Sequence, residues 1–155
     1  MKRIKKIFIG CSKLERPLAK EVKTLLEPEF AVTIWDDLPW ETKTPAFQLG
    51  DSILKGLLRA TLQFDFAIMI GTPDDQVIKK EKTVLQARDN VLFELGLFMG
   101  RMGNDNCALL LDKRVDVPAD LKGIVLPKYY YDSRESRASA IKKIKETFMR
   151  SSEVN

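Results

Sequence analysis

Apolar positions along this chain follow two rhythms that alternate from one end to the other. Ile4 to Gly10 is a short apolar run that starts by alternating and ends in Gly10-Cys11-Ser12, the pattern of a strand followed by a turn. Ser12 and Glu15 form Ser-x-x-Glu, a capping box that predicts a helix start. Leu18, Val22, Leu25 and Leu26 then fall on one helical face, and Pro28 ends the element. Phe30 to Trp35, rich in β-branched and aromatic residues, predicts a second strand. Asp36 to Lys43 reads as a polar loop. Thr44-Pro45 then supplies an N-cap and a first-turn proline for a helix with Phe47, Ile53, Leu54, Leu57 and Leu58 on its apolar side.

Phe64 to Gly71 is the most apolar stretch, as expected of a strand buried on both faces of a parallel sheet. Thr72-Pro73-Asp74-Asp75 breaks it, and Gln76 to Thr83 reads as a polar loop or short helical turn. Val84, Ala87, Val91, Leu95, Phe98 and Met102 predict one long helix over 84–102, with Gly103 in the C-cap position. Cys107 to Leu111 is a fourth strand and a fifth lies within 124–131. A closing helix over 138–148 turns Ile141, Ile144 and Phe148 inward. Strands alternating with helices imply a flavodoxin-like α/β sandwich: a five-stranded parallel sheet in the order 2-1-3-4-5 with helices on both faces. The domain is expected over residues 1–150, with 151–155 a polar tail or the start of a linker to a sensor domain.

Composition narrows the chemistry. At 155 residues, 45% hydrophobic and 31% charged, the chain fits one globular domain. It contains no histidine, which removes histidine triads, histidine bases and histidine metal ligands together. Cys11 and Cys107 make no Cys-x-x-Cys pair, so no metal site is expected and a reducing, cytoplasmic setting is. Twenty-six basic residues against 22 acidic give +4, with the excess at the two ends rather than on a face interleaved with aromatics. That favours solvated termini over a nucleic-acid partner. No apolar run reaches the roughly 20 residues of a membrane span.

In sheets of this order, ligands bind beyond the carboxyl ends of the strands, at the switch point. That rule selects three segments: Gly10-Cys11-Ser12, Trp35-Asp36-Asp37 and Gly71-Thr72-Pro73-Asp74-Asp75. There is no P-loop and no Gly-x-Gly-x-x-Gly after the first strand. Gly10 and Ser12 either cradle a phosphate on backbone N–H groups or only turn and cap the chain. Trp35 either stacks on a base or nicotinamide ring or is buried under the following loop. Asp74 and Asp75 either bind ribose hydroxyls or form a Pro-Asp-Asp turn. Without a histidine to activate it, Cys11 reads as a small buried residue. Asn90 and Glu94 lie one helical turn apart beside the stripe of Val91, Leu95 and Phe98. A carboxylate among apolar neighbours is costly unless paired, so Glu94 is either functional, bridged to Arg88 or Arg101, or exposed at the helix edge. Gly96 and Gly100 share a face and are expected to let the helix pack closely.

These pieces together resemble the bacterial TIR-like effector domains of cyclic-nucleotide anti-phage systems, including those fused to STING-like sensors. The resemblance rests on Ile7-Phe8-Ile9-Gly10-Cys11-Ser12, Val32-Thr33-Ile34-Trp35, the strand 64–70 with Thr72-Pro73-Asp74-Asp75, and Pro118-Ala119-Asp120-Leu121-Lys122-Gly123. Above all it rests on Arg88-Asp89-Asn90-Val91-Leu92-Phe93-Glu94-Leu95-Gly96-Leu97-Phe98-Met99-Gly100. The resemblance implies a TIR fold and an NAD+ nucleosidase, in which NAD+ is substrate and no cofactor is needed. It implies a catalytic Glu94; the residues already singled out, Gly10, Cys11, Ser12, Trp35, Asp74, Arg88 and Asn90, are the candidate substrate contacts. Position 11 departs from the family's common Gly-Ser-Ser loop. The resemblance also implies assembly into homo-oligomers or filaments on activation, and a cyclic-dinucleotide sensor elsewhere in the protein. The alternative is a non-catalytic TIR module for self-association or nucleotide binding. Cleavage of nicotinamide from ribose expels a neutral group, so it needs no general acid, which suits a chain without histidine.

Overall fold

A computed structural model of the protein describes residues 2–35, 53–121 and 123–154. The apolar run at the start forms β1 (Lys6–Gly10), followed by α1 (Arg16–Leu26) and β2 (Ala31–Ile34). Next come α2 (Ile53–Gln63) and β3 (Phe66–Gly71). A hairpin of β4 (Asp75–Lys79) and β5 (Lys82–Gln86) precedes α3 (Asp89–Met102). The chain closes with β6 (Cys107–Asp112), β7 (Lys128–Tyr129) and α4 (Arg134–Val154). The main sheet runs β2-β1-β3-β6-β7, every pairing parallel. With the hairpin set aside, this is the expected 2-1-3-4-5 order.

Two apolar layers hold the sheet. On one face α1 and α4 cover Ile7, Ile9, Ile68, Ile70, Leu110 and Tyr129, with Phe66 stacked on Phe148 at 4.4 Å. On the other, α2 and α3 cover Phe8, Ala67, Met69 and Leu109, with Phe8 stacked on Phe98 at 4.8 Å. Ring stacking at such spacings adds to plain burial. The central strands β3 and β6 are buried at every position, which explains why both read as unbroken apolar runs. No helix among the described residues is long and apolar enough to cross a membrane.

Several elements differ from their sequence reading. Ser12 makes no capping bond; a turn of 3₁₀ helix over Lys13–Glu15 intervenes and α1 opens at Arg16, with Pro17 in its first turn. The inward residues of α1 are Leu18, Ala19, Val22 and Leu26, whereas Leu25 is exposed. In α2, Leu57 faces the core but Leu54 and Leu58 face solvent; Thr44, Pro45 and Phe47 lie outside the described residues. The stretch 76–83 is neither loop nor helical turn but most of the β4–β5 hairpin. Its two-residue tip, Lys80-Glu81, takes positive φ of 47° and 64°. Because β5 claims Val84 to Gln86, α3 starts at Asp89. It ends as expected at Gly103, whose φ is +87°. Gly96 and Gly100 are exposed and nothing lies within 4 Å of a Cβ built on either, so they do not serve close packing here. The closing helix extends beyond 138–148 to Arg134–Val154, with Ile141, Ile144 and Phe148 inward as expected.

The adjacent leucines of α1 test the assignment of faces. Leu26→Ala should cost about 2–5 kcal/mol in urea unfolding, as core truncations do. Leu25→Ala, on the solvent side, should cost less than about 1 kcal/mol.

Candidate functional site at the carboxyl edge of the sheet

β1 delivers Gly10 to the carboxyl edge of the sheet, next to Met69 of β3. Helix α3 packs across β3 and β6 with Val91, Leu95 and Phe98 inward. The helical turn that buries Leu95 also aims the neighbouring Glu94 at the end of β1. A methyl group placed on Gly10 would collide with Met69 Sδ and come within 3.0 Å of Glu94 Oε2. Gly10 is therefore required for the close approach of the carboxyl group to the strand end. Neither an ion pair to Arg88 or Arg101 nor a hydrogen bond serves the Glu94 carboxyl among the described residues. Burial alone pushes it up to about 7. Of the three sequence alternatives, the structure supports a largely buried, unpaired carboxyl group.

The other candidates gather along the same edge. Trp35 directly follows β2, with its backbone N–H donating to the Ile9 carbonyl at 3.0 Å and its ring packed against both apolar layers. Cys11 is buried within the α1 and α4 layer, the small buried role anticipated for it. Arg88, the N-cap residue of α3, reaches Asp74, with Nε 3.8 Å from Oδ2. Thr72 Oγ1 donates to the same Oδ2 at 2.7 Å. Asp74 and Arg88 are thus joined to each other, not to Glu94. Asp75 belongs to β4, paired with Gln86. Asn90 is exposed and makes no hydrogen bond to Glu94 among the described residues.

Three buried side-chain polar atoms have no hydrogen-bond partner among the described residues: Ser12 Oγ, Trp35 Nε1 and Tyr129 OH. They follow or end β1, β2 and β7, so all three stand at the carboxyl edge. Unmade bonds in buried groups cost about 1–3 kcal/mol each, and all three of these fall at the same edge of the sheet. No group of three Asp, Glu or Cys side chains among the described residues is placed to hold a metal ion.

Sequence reasoning passed over a second polar set beside these. Asp112 ends β6 almost fully buried and accepts from Arg114 Nε at 3.0 Å and Nη2 at 2.8 Å. Those bonds hold its carboxyl below the usual range, against the opposing effect of burial. Burial, together with Asp74 and Asp112, raises Glu15. The signal was present in Leu109-Leu110-Leu111-Asp112: an acid closing a fully apolar run marks the carboxyl end of a buried strand.

The chain matches the family model for the TIR domain of CAP12/Pycsar effector proteins over residues 6–130. It is 43% identical over 149 residues to a CD-NTase-associated protein 12 of Niabella drilacis, covering 96% of this chain and 47% of that protein. It is 36% identical over 134 residues to the Pycsar effector protein PaPycTIR of Pseudomonas aeruginosa, covering 84% and 41%. The chain thus spans less than half the length of these relatives. Among solved structures it resembles the Clostridium botulinum CMP N-glycosidase BcmB, with a TM-score of 0.56 at 14% identity over 89% of this chain and 98% of that one. At that identity the likeness concerns the fold.

Because Glu94 is held protonated to about pH 7 when folded and ionises near 4.3 when unfolded, its stabilising contribution is full below the unfolded value. It is lost as pH rises through 7. Glu94→Gln escapes that loss. The variant should gain on the parent by roughly 3 kcal/mol between pH 4 and pH 8 in urea unfolding. An unchanged difference across that range would mean the carboxyl group is solvated.

Proposed function

The chain belongs to the TIR-domain family of CAP12/Pycsar effector proteins, and on that premise we propose that it cleaves the bond between nicotinamide and ribose in NAD+. The protein would act as an effector that depletes NAD+ during bacterial anti-phage defence. The observation that carries this reading is Glu94, unpaired and largely buried beside Gly10 at the carboxyl edge of the sheet. The name of the structural neighbour, an N-glycosidase, is consistent with the same bond type on this fold.

The chemistry asks little of the protein. The pyridinium leaves as neutral nicotinamide, so the C–N bond breaks without a proton being supplied. Positive charge moves to the ribose as an oxocarbenium-like transition state, the charge type that carboxylates stabilise in glycosidases. An ionised Glu94 in a dry site stabilises that charge more than a solvated one would. It also fixes ribose hydroxyls by accepting their hydrogen bonds. Water, or a hydroxyl of the same substrate, then takes the anomeric carbon and loses its proton to solvent. Trp35 and the Gly10–Ser12 loop hold further parts of the dinucleotide; Arg88, tied to Asp74, steadies the start of the helix that carries Glu94. Control by a cyclic-nucleotide sensor outside this domain, and assembly as the trigger, belong to the same proposal and fit the relatives' names.

Nicotinamide release should fall by about 10²–10³-fold or more in Glu94→Gln, the loss typical of removing one stabilising group at a developing charge, while the folded structure persists. A variant that releases nicotinamide at the parent rate refutes the assignment. In the parent the rate should climb tenfold per pH unit below about 7 and level above it, because only the ionised carboxyl group stabilises the cation. The assay should span a range of protein concentrations, so that assembly is included. Trp35→Ala should raise KM more than it lowers kcat if the ring only binds.

A further inference from the structure

The second polar set, around β6 and β7, is not used by the reaction at Glu94. Tyr129 is fully buried, and its hydroxyl lies within electrostatic reach of Glu15, Asp112 and Arg114 without a hydrogen-bond partner among the described residues. Ser12 Oγ, three residues before Glu15, is likewise buried and unpartnered. Glu15 lines a cavity of about 330 Å³ together with Tyr131 and Asp132. The same two residues line a neighbouring cavity of about 460 Å³ with Asp112 and Arg114. Asp112 uses both carboxyl oxygens on Arg114 Nε and Nη2, which leaves Nη1 outside the pair and fixes the guanidinium plane. More than half of the Arg114 side chain is exposed, and its guanidinium sits 5.8 Å from the centre of the half-exposed Tyr131 ring.

We propose that this double cavity is a subsite for a ribose 5′-phosphate unit carrying a base, that is, a nucleoside monophosphate. Glu15 accepts hydrogen bonds from the ribose hydroxyls. Arg114, braced from beneath by Asp112, takes the phosphate, and the Tyr131 ring covers the base. A metal ion is a poorer occupant, since no described cluster is placed to ligate one and Arg114 already neutralises Asp112. Asp74, paired with Arg88 at the start of α3, lies within electrostatic reach of Glu15. This inference rests on the dinucleotide reading of that site, and assigns the substrate's non-reacting half to the β6–β7 side of the edge. The same chemistry would also accept a separate free nucleotide.

Calorimetric titration of the whole chain with adenosine 5′-monophosphate tests the subsite without requiring catalysis. The parent should bind at submillimolar concentration, with ribose 5-phosphate competing. Glu15→Gln and Tyr131→Ala, both folded by circular dichroism, should each weaken binding about tenfold, the value of one lost contact. No binding by the parent at millimolar nucleotide, or equal affinity in the folded variants, overturns the subsite. The source is then read from kinetics. If the dinucleotide's other half sits here, Glu15→Gln lowers the ratio of kcat/KM for NAD+ over nicotinamide mononucleotide about tenfold, the same contact read as kinetics. If that ratio holds while monophosphate affinity falls, the subsite serves a free nucleotide, and its assignment to the substrate is wrong. Monophosphate binding in a protein that releases no nicotinamide would count against the reaction and not against the subsite.

Discussion

A carboxyl group set against a glycine at the end of a buried strand is the constraint on which the site depends. Gly10 has no side chain because Met69 and Glu94 already occupy the space a Cβ would need. Glu94 in turn stays uncharged up to about pH 7 because the packing that buries Leu95 and Phe98 carries its neighbour into the same dry layer. The cost of holding an acid there is a property of the fold. Moving Glu94 away would mean rotating α3 off β3 and β6, and so opening the second core layer.

The parallel sheet explains why this constraint arises at one edge only. All five strands point their carboxyl ends the same way, so the loops that follow them share one rim. The unpartnered atoms of Ser12, Trp35 and Tyr129, the Asp74–Arg88 pair and the Asp112–Arg114 fork all fall on that rim. The core beneath is satisfied by apolar contact alone, while the rim holds polar groups that folding by itself leaves without partners.

The fold was legible because its strongest signals are long. Phe66 to Gly71, within the expected strand 64–71, and Cys107 to Leu111 read as buried since no polar residue interrupts them, and Val91, Leu95 and Phe98 set the face of α3 unambiguously. Glu94 was legible for the same reason, as the one acid inside an apolar helical motif. The hairpin was not. Val84 and Ala87 continue the helical spacing of α3, and only the pairing of Asp75–Lys79 with Lys82–Gln86 overrides it. Its tip, Lys80-Glu81, lacks the Asn-Gly or Gly pair that announces such turns. Leu25, Leu54 and Leu58 were misplaced because an apolar residue at helical spacing carries no label for its own face when the stripe is broad. Asp112 and Tyr129 could be judged only once β6 and β7 were seen side by side.

The hairpin also ties together parts of the chain that are distant in sequence. Leu85 of β5 bridges Val115, Asp116 N–H donates to the Leu85 carbonyl at 2.8 Å, and Lys79 pairs with Asp116 at 3.0 Å. The connection into α3 is thereby stitched to the segment leaving β6, while the exposed tip at Lys80-Glu81 touches neither core layer. Chain length can therefore vary at that tip as an evolutionary free parameter. The stitch below it keeps the register of the helix bearing Glu94 independent of whatever is added or removed above.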